Sequence, residues 1–82
     1  MEKDTIIIRF MYENREIDLD VPDSITAQEF IVAVNEAYNL GIDITDIKSC
    51  YLQAENPIAF VRGNKKLFEF GFHNGTIVYF AN

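Results

Sequence analysis

The residues able to do chemistry are few and stand apart. The chain holds one histidine, His73, and one cysteine, Cys50. A catalytic imidazole needs a nucleophile or an orienting carboxylate within hydrogen-bond reach. His73 stands in a turn-like stretch beside Asn74, and no neighbouring pattern brings a carboxylate or the thiol to it. It reads as a solvated loop residue. Cys50 lies between Ser49 and Tyr51 in a strand-like run and reads as a small buried hydrophobe. A reactive thiol needs an electropositive, partly exposed setting, and only Lys48 is near in sequence. One thiol excludes an internal disulfide, an all-cysteine metal site and an iron–sulfur cluster. The acid pairs Asp18/Asp20 and Asp43/Asp46 lack the glycine-centred loop of a calcium site and read as solvated charge. The glycines stand singly, so there is no phosphate-binding loop. These residues predict no catalytic group, no metal and no cofactor; the chain reads as something other than an enzyme.

Composition narrows the partners. A net charge of −6 opposes nucleic acid, which requires clustered cations. The one cluster, Arg62, Lys65 and Lys66, flanks a Gly-Asn turn and reads as a solvated loop. Eighty-two residues predict a single domain over 1–82, with a globular composition that is nearly half hydrophobic. The longest apolar runs, Thr5 to Ile8 and Ile77 to Phe80, fall far short of the about 20 residues of a membrane span. The charged start, Met1-Glu2-Lys3-Asp4, lacks the character of a signal peptide. A cytoplasmic location and no insertion into a membrane are therefore expected.

These side chains are positioned by a regular succession of elements. Thr5 to Tyr12 predicts a strand rich in Ile and Phe. Glu13-Asn14-Arg15-Glu16 predicts a turn, and Ile17, Leu19 and Val21 alternate with Asp18 and Asp20 as in a half-buried strand. Thr26 and Glu29 are spaced as a capping box, and Ile25 and Phe30 as a hydrophobic staple. Ala27, Phe30, Ile31, Val34 and Tyr38 form an apolar stripe, predicting a helix of about 13 residues. Gly41 is expected to end it in a left-handed conformation, with Ile42 folding back. Lys48 to Ala54 predicts a third strand, with Cys50, Leu52 and Ala54 on one face and Tyr51 and Gln53 on the other. Glu55-Asn56-Pro57 predicts a turn, and Ile58 to Arg62 a short fourth strand. Leu67 to Phe72 predicts a tucked single turn whose Leu67 and Phe72 plug the core. Asn74-Gly75 opens a last strand, Thr76 to Phe80. One helix covers one face of one sheet, so the order predicts a two-layer α+β domain, a mixed sheet of about five strands in the β-grasp arrangement.

Three stretches carry a resemblance over nearly the whole chain: "IDLDVPDSI", "LGIDI" and "LFEFGFHNGTIVYF". They are similar to the bacterial ubiquitin-like family of YukD and EsaB, small cytoplasmic proteins that accompany type VII secretion systems in Firmicutes. Glu69 replaces the usual Asp, Phe72 an aliphatic residue, and Thr76 an acidic one. The resemblance implies a ubiquitin-like fold and an accessory or regulatory role in type VII, WXG-type secretion.

Two kinds of function fit that fold. A carrier for an activating enzyme uses a thin carboxyl-terminal tail ending in Gly-Gly, whose carboxylate is adenylated. Here only Ala81 and Asn82 follow the last strand, which disfavours conjugation and sulfur transfer and favours a protein-binding module. A generic β-grasp binding domain from another pathway is the remaining alternative. For a binding module, strand parity supplies a surface. If Ile6, Ile8, Phe10, Val78 and Phe80 point inward, then Ile7, Arg9, Ile77 and Tyr79 point out, together with Tyr51 and Gln53. Ile7, Tyr51, Ile77 and Tyr79 are the candidate protein-binding residues, since exposed aromatics suit an interface. Scattered apolar residues are also normal on any protein surface. The sequence leaves the partner and homo-oligomerisation open.

Overall fold

The computed structural model describes residues 4–80. Met1 to Lys3, which open the charged start, and Ala81 and Asn82, which follow the last strand, lie outside the described residues.

Two strands, β1 (Thr5–Tyr12) and β2 (Arg15–Pro22), pair antiparallel along their whole length, from Thr5 opposite Pro22 to Tyr12 opposite Arg15. The turn between them is shorter than the four residues expected. Only Glu13 and Asn14 form it, with φ of 49° and 64°. Two positive φ values make the tight turn whose twist matches a right-twisted ladder. Arg15 and Glu16 are thereby free to pair with Tyr12 and Met11. Ile6, Ile8, Phe10 and Tyr12 are buried, whereas Thr5, Ile7 and Arg9 face outward, as the alternation predicts. On β2, Ile17, Leu19 and Val21 are only half-buried.

The helix α1 (Ala27–Tyr38) begins as its sequence requires. Glu29 N–H donates to Thr26 Oγ1 at 3.1 Å, and Thr26 N–H donates to Glu29 Oε1 at 2.8 Å. Its next two amides are satisfied by the distant loop before Leu67: Ala27 N–H donates to Lys65 O and Gln28 N–H to Gly63 O. The helix ends at Asn39, not at the expected Gly41. Asn39 adopts the left-handed conformation, φ 56° and ψ 53°, which Asn tolerates better than most side-chain-bearing residues. Ile42 does fold back, and Asn35 holds it there. The Asn35 side chain accepts from Ile42 N–H at 2.9 Å and donates to Ile42 O at 3.0 Å.

The third strand is shorter than predicted: β3 covers Leu52–Glu55. The amides that would have extended it are used in a turn around Asp46. Lys48 N–H donates to Asp46 Oδ1, and Ser49 and Cys50 N–H both donate to Asp46 O. Cys50, Leu52 and Ala54 are nevertheless all buried on one face. Strand β4 spans Ala59–Val61, followed by a single 3-10 turn, Leu67–Phe70. Leu67 and Phe72 are buried as expected. Gly71 ends that turn at φ 85°, a conformation that suits glycine. The last strand, β5, covers Ile77–Tyr79.

The strands form one mixed sheet in the order β2-β1-β5-β3-β4, with β1 and β5 parallel. Ala27, Phe30, Ile31 and Val34 of α1 join the inward residues of the sheet in one core. Phe10 meets Phe30 edge-on at 6.4 Å between centroids and stacks on Tyr38 at 5.7 Å. This is the two-layer α+β β-grasp, helix on one face and the other face uncovered by the helix.

Candidate protein-interaction face

The structure keeps the chemical residues apart. Cys50 is buried, and its Sγ donates to Gln28 Oε1 at 3.5 Å. His73 is exposed, with its Nδ1 2.8 Å from the carbonyl oxygen of Asn74. Asp43 and Asp46 act on their own loop. Asp43 Oδ1 accepts from the Thr45 hydroxyl and amide at 2.6 and 3.0 Å, and these bonds hold its carboxyl below the usual carboxylate range, the hydroxyl contributing most. Among the described residues no group of three or more His, Cys, Asp or Glu is placed to hold a metal ion.

The face away from the helix has a readable layout, because registers join across all five strands. One row runs Glu16, Met11, Tyr79, Gln53, Phe60. The row beside it runs Asp18, Arg9, Ile77, Glu55. Arg9 sits 3.4 Å from Asp18 and 3.9 Å from Glu16, which makes the β2–β1 side of the face a charged field. The β5–β3–β4 side is aromatic. Tyr51 meets Phe60 edge-on at 5.6 Å between centroids. Tyr79 lines a shallow hollow with Gln53, Ile58, Ala59 and Phe60.

The four candidate residues fall into two places. Ile7, 42% exposed, lines a hollow with Arg9, Asp18, Gly75 and Ile77 at the charged side. Tyr51 and Tyr79, both half-buried, belong to the aromatic side. Ile77 stands between them in the central strand, in the row of Arg9. The sequence reading missed two residues of the aromatic side, Phe60 at 59% exposure and Ile58 at 89%. The signal was present: Ala59 and Val61 pointing inward sends Ile58 and Phe60 the other way.

The last strand is docked by its Asn-Gly start. Asn74 Oδ1 accepts from Ile7 N–H at 2.8 Å, and Gly75 N–H donates to Ile7 O at 2.9 Å. Thr76, which replaces the acidic residue of the resemblance, is fully buried. Its hydroxyl accepts from His73 N–H and donates to Asn56 O, both at 3.0 Å. A carboxylate could accept the first bond but could not make the second. No helix among the described residues is long and apolar enough to cross a membrane.

Comparison with known proteins agrees with this architecture. The ubiquitin-like carboxyl-terminal domain of mouse tubulin-specific chaperone e superposes with a TM-score of 0.72 at 12% identity, over 96% of this chain and 87% of that one. The ubiquitin-like domain of the type VII secretion system protein EccD1 from Mycobacterium tuberculosis gives 0.59 at 13% identity, over 96% and 99%. The ubiquitin-like domain of Plasmodium falciparum Dsk2 gives 0.62 at 13% identity, over 93% and 97%. At such identities these likenesses establish a ubiquitin-like fold. No curated protein matches the sequence. The model of the family described as "WXG100 protein secretion system (Wss), protein YukD" matches residues 5–79, and the chain accordingly belongs to the YukD family, with the ubiquitin-like fold that its sheet and helix display.

Proposed function

We propose that this chain is a non-catalytic, non-conjugating protein-interaction module that acts in the cytoplasm as an accessory or regulatory component of type VII secretion, and that it binds through the outer face of its sheet. Family membership supports the pathway. The observation that carries the mode of action is the aromatic side of that face, where Tyr51 meets Phe60, and Tyr79 lines a hollow with Phe60 and Ile58. Aromatic side chains that bury large area and keep a polar tip are the usual anchors of protein interfaces. Ile77 and Ile7 extend the face toward the charged side. Non-catalytic action fits a buried thiol bonded to Gln28 and a lone exposed imidazole on a turn.

Co-purification from the native host tests this reading. Secretion-system proteins should accompany the tagged chain, and the Ile77→Ser/Tyr79→Ser variant should lose them while keeping its circular dichroism. If the variant still captures them, the face is wrong. If covalent adducts of the chain survive denaturation, the non-conjugating role is wrong.

A further inference from the structure

The edges of the sheet differ in charge. Strand β2 closes one edge with exposed Glu16, Asp18 and Asp20 and ends in Pro22. Outward charges and proline are the standard means of keeping an edge from pairing with another chain. Strand β4 closes the other edge with Ala59, Phe60 and Val61, and none of these is charged. Ile58 and Phe60 stand exposed there, and the β4 ladder is made on one side only, to β3. An edge strand leaves alternate N–H and C=O groups unpaired on its open side.

Charge adds the second constraint. Residues 48–66 hold four cations, Lys48, Arg62, Lys65 and Lys66, against the single acid Glu55, in a chain whose net charge is −6. Among the described residues the ion pairs are those of Arg9 with Glu16 and Asp18, and none of these four side chains forms one there. Lys65 lies over the Phe70 ring at 4.8 Å. Arg62 directly follows β4, whereas Lys48 shares a hollow with Asp43 and Tyr51. An apolar open edge followed directly by Arg62, with Lys65 and Lys66 in the next loop, favours an incoming strand that is apolar and acidic.

We infer that β4 receives an extended segment of a protein partner, alternating apolar and acidic residues, as a sixth strand of the sheet. Main-chain bonds to β4 set its position, its apolar residues cover Ile58 and Phe60, and its carboxylates answer Arg62 and the neighbouring lysines. This rests on the sheet-face reading above and adds the partner's conformation and charge. A second copy joined β4 to β4 would place the same cations against one another.

An acetylated eight-residue peptide alternating valine and glutamate, with a valine–lysine peptide as control, tests the inference by amide NMR and hydrogen exchange on the full chain. The acidic peptide should shift the amides of Ala59–Val61 and slow exchange on the open side of β4. Arg62→Glu should weaken it about two- to fivefold, the range of an exposed ion pair. The exposed pair Ile58→Ser/Phe60→Ser should abolish binding while the circular dichroism of the chain is kept. Shifts confined to Ile77, Tyr79 and Tyr51, with no protection at β4, would overturn strand addition and leave the sheet-face reading standing. Equal binding of the lysine peptide, no binding of the acidic one, or protection of β4 in the free chain through self-association would each overturn the inference.

Discussion

The two edge strands of the sheet divide their burial in opposite ways. On the β2–β1 side the outer face is charged, and the inward residues of β2 are only half covered. On the β3–β4 side Leu52, Ala54 and Val61 are buried almost completely, while Phe60 and Ile58 stay exposed on the outside. The hairpin gains its definition from a long register and a tight turn. The β3–β4 ribbon is far shorter and is secured by its core residues and by the loop beyond it, which is bonded to the start of α1. Ile8 and Phe10 of β1 are buried as completely as Val61, so the contrast lies in what β2 and β4 show to water.

The largest expected effect lies beneath the β3–β4 side. Leu52→Ala should cost about 2–5 kcal/mol in urea unfolding, the range of a truncated buried leucine. Leu19→Ala on half-covered β2 should cost about 1–2 kcal/mol. Equal costs would break the contrast. Thr76→Val comes next. It keeps the volume but leaves His73 N–H and the Asn56 carbonyl without their partner, which should cost about 1–3 kcal/mol by the same measurement. The charged guard of β2 can be removed with Glu16→Val/Asp18→Val. Concentration-dependent association should then appear by light scattering, whereas Ile58→Ser/Phe60→Ser should leave the chain as it was. A guarded edge that tolerates loss of its charges without associating would remove the distinction between the edges.

The smallest effect concerns the loop that leads into β3. The Asp43 carboxyl is held low by Thr45. A carboxyl whose folded pKa is depressed stabilises the fold above its unfolded value of about 3.9 and loses that contribution as pH falls through the folded value. The stability difference between the native chain and Asp43→Asn should therefore be present at neutral pH and shrink in acid. A difference that grows below that range would contradict the bonding seen at Thr45.

Local signals were readable wherever a few neighbouring residues settle the conformation. The capping box of Thr26 and Glu29, the alternation of β1 and the tucked Leu67–Phe72 turn all belong to this kind. The errors fall where a side chain or carbonyl outside the periodic pattern captures backbone groups. Gly41 is the better left-handed residue by type, yet the helix ends at Asn39, and Asn35 holds the returning Ile42 through a pair of bonds that no spacing rule contains. The start of β3 was misplaced because Asp46 takes the amides of Ser49 and Cys50. The candidate face was half readable. Parity placed Ile77 and Tyr79 outward, but Ile7 fell to the charged side, and Phe60 was missed although the same parity applied to it.

By itself the sequence determined the element order, the single helix and its first turn, and the inward residues of the longer strands, because each depends on periodicity and on contacts a few residues apart. Only the tertiary structure decided which strands become neighbours and which become edges. That choice turns the same alternation into a guarded acidic border at β2 and an open aromatic one at β4, since a residue's exposure depends on what the rest of the chain brings against it.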